Sequence, residues 1–205
     1  MGGASLDELW LQCQHRLVAH VAHDLKGALN GVSVNVEVVR GRADRPDTPI
    51  SSVEQYATAA TEQLGVVIKM TTTLLSITRA VRGAAEVSAV ARQLVSLLED
   101  TLRSDGATLE LVVEGGVAGT TSAPASAVRL ALAETLMSAA HQQCDISVRV
   151  RATDAPIVEI RSVASFEVFP DVGRALADTG ITVKTDGHGI SIVFPGLAEL
   201  PLEDA

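Results

Sequence analysis

The feature that most constrains the fold is a long run of apolar and small residues at helical spacing near the start of the chain. Consecutive members of this run lie three or four positions apart, which predicts one long amphipathic helix over residues 5–40. The members are Leu6, Trp10, Cys13, Leu17, Val21, Leu25, Ala28, Val32, Val36 and Val39. A helix of this length and pattern needs another element to cover its apolar side.

A second helix of similar character follows after a short loop. A glycine and two prolines in residues 41–49 interrupt the first pattern, and Ser51 or Ser52 begins the next helix in a capping-box arrangement. Its apolar stripe continues until Gly83 can end it. Two long helices joined in this way predict an antiparallel hairpin. We expect two hairpins to form a four-helix bundle in a homodimer; packing of the hairpin on the rest of the chain is the alternative.

Beyond residue 83 the pattern changes to a mixture of helices and strands, so the predicted domains are 1–83 and 84–205. We predict helices over 86–104, 124–141 and 170–179, and strands over 108–114, 145–152, 157–163, 181–185 and 190–194. The glycines on either side of His188 predict a hairpin turn between the last two strands. The fold class is therefore α+β: a helical hairpin followed by a two-layer α/β sandwich with helices on one face of a mixed sheet.

Composition excludes several classes of function. The net charge is −9 and only 2% of the residues are aromatic, which argues against nucleic-acid binding. No apolar run reaches the roughly 20 residues of a membrane helix, and no secretory signal is visible, so we expect a cytoplasmic protein. A reduced Cys13 and Cys144 are favoured over a disulfide. His141 and Cys144 would make half of a metal site, but nothing completes it, and we expect no bound metal.

The first helix carries a histidine on its polar side. His23 lies two residues from both Val21 and Leu25, which places it about 200° from either on the helix surface. One turn away on the same face are Ala19 and Gly27, both small enough to leave the imidazole accessible to another protein. From spacing alone, an ordinary solvent-exposed histidine is the other interpretation.

Charged neighbours give this histidine a possible chemistry. Lys26 supplies a cation that could stabilise a phosphoryl group, and Asp24 could orient the ring or accept its proton. His15 and His20 are further candidate acceptors, although His15 has no acid after it and His20 lies beside the apolar stripe.

Residues 22–30, AHDLKGALN, resemble the H-box of bacterial two-component histidine kinases. In this resemblance His23 matches the phosphoacceptor and Asp24 the acid that follows it. The other matching positions are Leu25, Lys26 and Leu29. Gly27 stands where the family has Thr or Asn, and Ala28 where it has Pro. Because glycine has no side chain to position a water, the resemblance does not extend to the family's phosphatase activity.

In this family the hairpin forms a dimeric bundle and is followed by an ATP-binding domain, whose motifs are missing here. Glu134 and Ser138 stand at the two Asn positions of the N-box, and the second Asn normally holds Mg²⁺. Where an Asp-x-Gly-x-Gly box is expected, residues 164–173 read ASFEVFPDVG. The second domain is thus similar to a degenerate ATPase domain, and we expect no ATP and no other cofactor in the protein itself.

The combination of a largely kept H-box and a degenerate ATPase-like domain resembles the dimeric histidine phosphotransferases of the ChpT type. The resemblance implies a phosphorelay protein that moves phosphoryl groups between receiver-domain aspartates through His23, assisted by Asp24 and Lys26. It implies that the response-regulator receiver brings Mg²⁺ and contacts Ala19, His20, Gly27 and Asn30. A non-catalytic pseudo-histidine-kinase that binds and sequesters a receiver domain or kinase is the alternative, and an ATP-dependent kinase is a third reading.

Overall fold

The structure is a computed structural model that describes residues 4–45, 49–79, 84–115, 119–142, 144–162, 170–187 and 189–197. It contains two compact units. One is formed by Val18–Ser76, and the other by Met1–Leu17 together with Ile77–Ala205. The sequence-based division at residue 83 stays a prediction.

The N-terminal half consists of two long helices, α1 (Leu6–Ala43) and α2 (Ser51–Thr78). A capping box starts α1: the backbone N–H of Ser5 donates to Glu8 Oε2 at 2.8 Å, and the N–H of Glu8 donates to Ser5 Oγ at 3.3 Å. The capping box predicted at the start of α2 differs, because the Ser52 hydroxyl instead donates to the carbonyl of Pro49 at 2.8 Å. The residues around the predicted stop at Gly83 lie outside the described part of the chain.

The predicted apolar run of α1 is buried only in its first part. Trp10, Cys13, Leu17 and Val21 are all buried, whereas Val36 is 52% exposed. The reason is geometric: Val36 follows Leu17 by 19 residues, which turns it about 100° further around a helix of 3.6 residues per turn. A run with many steps of four therefore drifts off the buried face.

The α/β part follows the predicted order of helices and strands, with two additional short strands. Its elements are β1 (Ala85–Glu86), α3 (Val87–Ser104), β2 (Leu109–Glu114), β3 (Thr120–Thr121), α4 (Ala125–Ala140), β4 (Ile146–Arg151), β5 (Ile157–Ser162), α5 (Pro170–Ala177), β6 (Thr182–Thr185) and β7 (Gly189–Val193). Strands β1 and β3 pair with each other. At two residues each, they are too short to produce a recognisable alternation in the sequence.

The main sheet is mixed, as predicted, in the order β2-β4-β5-β7-β6. Strands β2 and β4 are parallel and every other pair is antiparallel. In β4 the apolar residues are buried and alternate with exposed polar ones, which shows that one face is covered. Helix α3 packs on β2 and β4, α4 on β5, and α5 on β6. The α+β fold class is therefore confirmed.

The connection between β6 and β7 agrees with the predicted hairpin. Thr185 pairs with Ile190, Asp186 N donates to Gly189 O at 3.1 Å, and Gly187 has a φ of 85°. A positive φ favours glycine, since it has no Cβ to clash with the backbone. His188 lies outside the described residues.

Candidate functional site

His23 projects from α1 into solvent, as its spacing predicts. Its side chain is 90% exposed, and its Nδ1 lies 3.2 Å from Oδ1 of Asp24. A carboxylate at this position favours the tautomer in which Nδ1 carries the proton. The lone pair is then on Nε2, the nitrogen farther from the helix backbone, which is the arrangement that a nucleophilic imidazole requires.

The surroundings of His23 on α1 are open. A Cβ built on Gly27 would have no heavy atom of the described chain segments within 4 Å, and Ala19 is exposed one turn before the histidine. Lys26 and Asn30 are exposed on the same side of the helix. The structure therefore brings the predicted residues to one accessible surface of a single helix.

His20, one of the predicted contact residues, is placed differently from His23. Its side chain is 40% exposed, but its Nε2 is inaccessible to solvent and has no hydrogen-bond partner among the described residues. This nitrogen lies 4.0 Å from Oδ2 of Asp24. The carboxylate of Asp24 thus stands between two imidazoles, with His23 at one oxygen and His20 at the other.

Polar contacts fix how α1 and α2 are aligned. Asn35 Nδ2 donates to Gly31 O at 3.0 Å and to Gln63 Oε1 at 3.3 Å. Near the other end of the pair, Arg42 donates to Ser52 O at 2.6 Å. Later residues of α1 therefore meet earlier residues of α2, which makes the hairpin antiparallel as predicted.

The Val18–Ser76 unit leaves a second apolar pattern uncovered. We call it the outer stripe; its members repeat at steps of four and three, the spacing of a coiled-coil seam. On α1 they are Val18, Ala22, Leu25, Leu29, Val32 and Val36, and on α2 they are Ala57, Thr61, Leu64, Ile68, Thr71 and Leu75. All are exposed except Leu25 and Val32, which are half-buried. Leu25, Val32 and Val36 were predicted as part of the single apolar run of α1, and the separate outer stripe to which they belong was not predicted, although its spacing can be read from the sequence.

Both halves of the outer stripe lie on the same side of the hairpin. Val36 directly follows Asn35 and Leu64 directly follows Gln63, so each is turned by about 100° from the contact between the helices. Because the helices are antiparallel, the same rotation brings the two halves to one side. His23 follows Val18 by five residues, about 140° away. The histidine and the outer stripe therefore face different directions.

Glu134, at the first N-box position, is engaged by an arginine. The side chain of Glu134 is buried on α4, and its Oε1 accepts from Nη2 of Arg16, which belongs to the same compact unit. No sequence signal linked these two residues, which are 118 positions apart. Ser138 is half-buried on the same helix. Of residues 164–173, where the Asp-x-Gly-x-Gly box is expected, residues 164–169 lie outside the described part of the chain.

The remaining candidate groups are less reactive or scattered. Cys13 and Cys144 are both free thiols, as predicted, and burial raises the pKa of the Cys13 thiol to about 12. Within the described ranges, no three histidine, cysteine, aspartate or glutamate residues cluster in a way that could hold a metal ion. No helix in that part of the chain combines the length and apolar character needed to cross a membrane.

The similarity of this chain to known proteins is limited to solved structures. Neither a protein-family model nor a curated protein sequence matches this chain. Among solved structures, it is similar to Acinetobacter baumannii histidine kinase AdeS, with 11% identity, a TM-score of 0.45, and coverage of 86% of this chain and 98% of the other. It is also similar to histidine kinase ThkA in complex with response regulator protein TrrA, with 13% identity, a TM-score of 0.44, and coverage of 90% and 61%.

A further similar structure is the cytoplasmic segment of histidine kinase QseC, with 14% identity, a TM-score of 0.44, and coverage of 65% of this chain and 92% of that one.

Proposed function

We propose that this protein is a histidine phosphotransferase of a two-component phosphorelay, with His23 as the phosphoryl carrier. The observation that carries the proposal is the exposed imidazole of His23 with its Nδ1 held by Asp24. The clearance at Gly27 and Ala19 adds room for a receiver domain to bring its aspartyl phosphate to this ring. Asn30 and His20 extend the proposed contact surface along the helix.

In the proposed reaction, Nε2 of His23 attacks the phosphorus of a receiver aspartyl phosphate. The N–P bond forms while the P–O bond to the aspartate breaks, and the aspartate leaves as a carboxylate. The imidazole ring then carries a positive charge, which the carboxylate of Asp24 offsets from 3.2 Å. In the return step an aspartate oxygen of a second receiver attacks the phosphorus and the N–P bond breaks. Lys26 offsets the charge of the phosphoryl group.

The second domain has no part in this chemistry in our proposal. The N-box position Glu134 is a buried carboxylate paired with Arg16, whereas the nucleotide site of a kinase needs neutral amides near its polyphosphate. We propose that Mg²⁺ comes with the receiver domain, which leaves positioning of the imidazole as the main task of this chain.

The outer stripe supports a homodimer through α1 and α2. Its heptad spacing on both helices, its exposure in the single chain and its position on one side of the hairpin are those of a bundle seam. A second copy related by twofold symmetry would cover it with the same stripe. Because His23 faces another direction, both histidines of such a dimer remain accessible.

A transfer assay with His23→Ala tests the proposed function. Purified receiver domains carrying a radiolabelled aspartyl phosphate are mixed with the protein, and the label on each chain is followed in time. We expect the wild-type protein to acquire label and the variant to acquire none, because alanine has no nucleophile. Circular dichroism should show an unchanged fold, since the replaced side chain is exposed.

His15→Ala is the matched control, since His15 is another exposed histidine of α1. It should accept label at the wild-type rate. A wild-type protein that binds receivers but never carries label would favour the sequestering alternative. Labelling from ATP and Mg²⁺ without any receiver would make the protein a kinase and contradict the proposal.

A further inference from the structure

We propose that His20 is a positioning residue, which holds the carboxylate of Asp24 and through it the reactive tautomer of His23. The inference rests on the proposed phosphoryl transfer at His23 and adds one residue to it. It starts from the environment of a single atom, Nε2 of His20, which the transfer reaction described above does not use.

Nε2 of His20 is shielded from solvent and unpaired within the described part of the chain, although the rest of the ring is partly exposed. A buried polar atom without a hydrogen bond lowers the stability of the folded state by about 1–3 kcal/mol. A hydrogen bond at this nitrogen is therefore favourable. Oδ2 of Asp24 is 4.0 Å away. A side-chain shift of about 1 Å brings the two atoms to hydrogen-bond distance.

The positions of His20 and Asp24 in the helix allow this contact. His20 and Asp24 are four residues apart, so their side chains lie on neighbouring turns of the same face. Asp24 and His23 are adjacent in sequence, and their contact at 3.2 Å requires the carboxylate to turn toward the imidazole. A second hydrogen bond at the other carboxylate oxygen would hold Asp24 in that orientation.

The consequence for the reaction concerns the proton on His23. With Asp24 fixed, Nδ1–H of His23 donates to Oδ1 and Nε2 keeps its lone pair for attack on phosphorus. Without the contact from His20, Asp24 is held less tightly and the ring samples more of the other tautomer, in which Nε2 carries the proton and cannot attack. His20 therefore raises the reactive fraction of His23 without touching the phosphoryl group.

Nuclear magnetic resonance of the ¹⁵N-labelled histidines tests the inference directly. Two-bond ¹H–¹⁵N correlations distinguish the two neutral tautomers of His23 in the wild-type protein, His20→Phe and His20→Gln. Phenylalanine keeps the ring shape without a donor, whereas the glutamine amide can place an N–H close to the position of Nε2. We expect mainly the Nδ1–H tautomer in wild type and His20→Gln, and a mixture in His20→Phe.

The rate of phosphorylation gives a second readout. Phosphoramidate serves as the donor: Nε2 of His23 attacks its phosphorus, the P–N bond to the donor breaks, and ammonia leaves. We expect His20→Phe to slow this reaction by about twofold to fivefold, the factor by which a mixture of tautomers lowers the reactive fraction of His23, and His20→Gln to restore most of the rate. His15→Phe, the same change at an exposed site of α1, should leave rate and tautomer unchanged.

The two proposals fail in distinguishable ways. If wild-type protein is phosphorylated at His23 but His20→Phe matches it in tautomer and rate, the role of His20 is wrong and the proposed function stands. If His20→Gln behaves like His20→Phe, the hydrogen bond is not the cause and the inference is overturned. If the wild-type protein takes label from neither phosphoramidate nor receivers, the proposed function itself is wrong.

Discussion

Gly27 shows at the scale of one residue how helix stability and access to His23 are opposed. A glycine inside a helix costs about 1 kcal/mol relative to alanine. No contact among the described residues requires this glycine, since a Cβ at position 27 would meet none of their heavy atoms within 4 Å. A methyl group there would, however, stand one turn from the imidazole, where a receiver domain must approach in our proposal.

We therefore expect Gly27→Ala to raise the free energy of unfolding by up to about 1 kcal/mol and to slow phosphoryl transfer from a receiver. Gly41→Ala is the control, because Gly41 also has open space around it and lies on the same side of α1 as His23, about five turns from that histidine. It should stabilise the protein without slowing transfer. Urea denaturation and the transfer assay measure the two effects; an unchanged transfer rate in Gly27→Ala would remove the role assigned to the glycine.

Single residues also show where sequence patterns stop being informative. The exposure of His23 followed from its position relative to Val21 and Leu25, and the structure confirms it. The shielded Nε2 of His20 did not follow, because it depends on how neighbouring side chains cover one edge of a ring. Spacing determines the face of a helix on which a side chain lies, but not the contacts of its atoms.

At the scale of secondary-structure elements, the outer stripe makes a prediction about assembly. Ile68→Glu introduces a charge in the middle of the stripe, and we expect it to shift the protein from dimer to monomer in light scattering at micromolar concentration. In the single chain Ile68 is 58% exposed, so the substitution should not disturb packing within the hairpin. Burial of an unpaired carboxylate in the dimer seam is the physical cause.

Val34→Glu is the matched control for this experiment. Val34 is 51% exposed, also β-branched, and about 160° from Val18 on α1, so it lies off the stripe. We expect the Val34→Glu variant to have the same mass in light scattering as the wild-type protein. A wild-type protein that is already monomeric, or a loss of dimer in both variants, would contradict the bundle seam.

The elements themselves were predicted well because their signals are local. Helices α3 and α4 and strands β2, β4 and β5 begin and end within a residue or two of their predicted bounds, since each contains a complete apolar period. The stripe assigned to α1 was less accurate in its later part. Apolar residues at spacings of three and four can be assigned to two different faces of a long helix. Only the position of α2 shows which of the two faces is buried.

At the scale of the whole molecule, Arg16 and Glu134 connect the beginning of the chain to helix α4 within one compact unit. Glu134 is buried and Arg16 is half exposed, so solvent screens part of their attraction. We expect Arg16→Met and Glu134→Gln each to lower the free energy of unfolding by about 1 kcal/mol. The double variant should lose less free energy of unfolding than the two single variants lose together, because both changes break the same pair.

Fluorescence of Trp10 is suited to this measurement. It is the single tryptophan of the sequence, it is buried, and it lies in the same compact unit as the ion pair. Denaturant unfolding of the four proteins gives the coupling free energy of the pair. Strictly additive effects would show that the contact does not stabilise the unit.

The sequence by itself determined the two long helices, the order of the strands, the one-sided burial of the sheet and the solvent-facing position of His23. Each of these depends on a period of 3.6 or 2 residues, which can be recognised from residues that are close together in the sequence. The tertiary structure alone decided the pairing of Arg16 with Glu134, the grouping of residues 1–17 with the α/β part, the face of α1 that α2 covers, and the shielding of His20. These depend on contacts between residues far apart in sequence or between individual side-chain atoms, for which a local period carries no information.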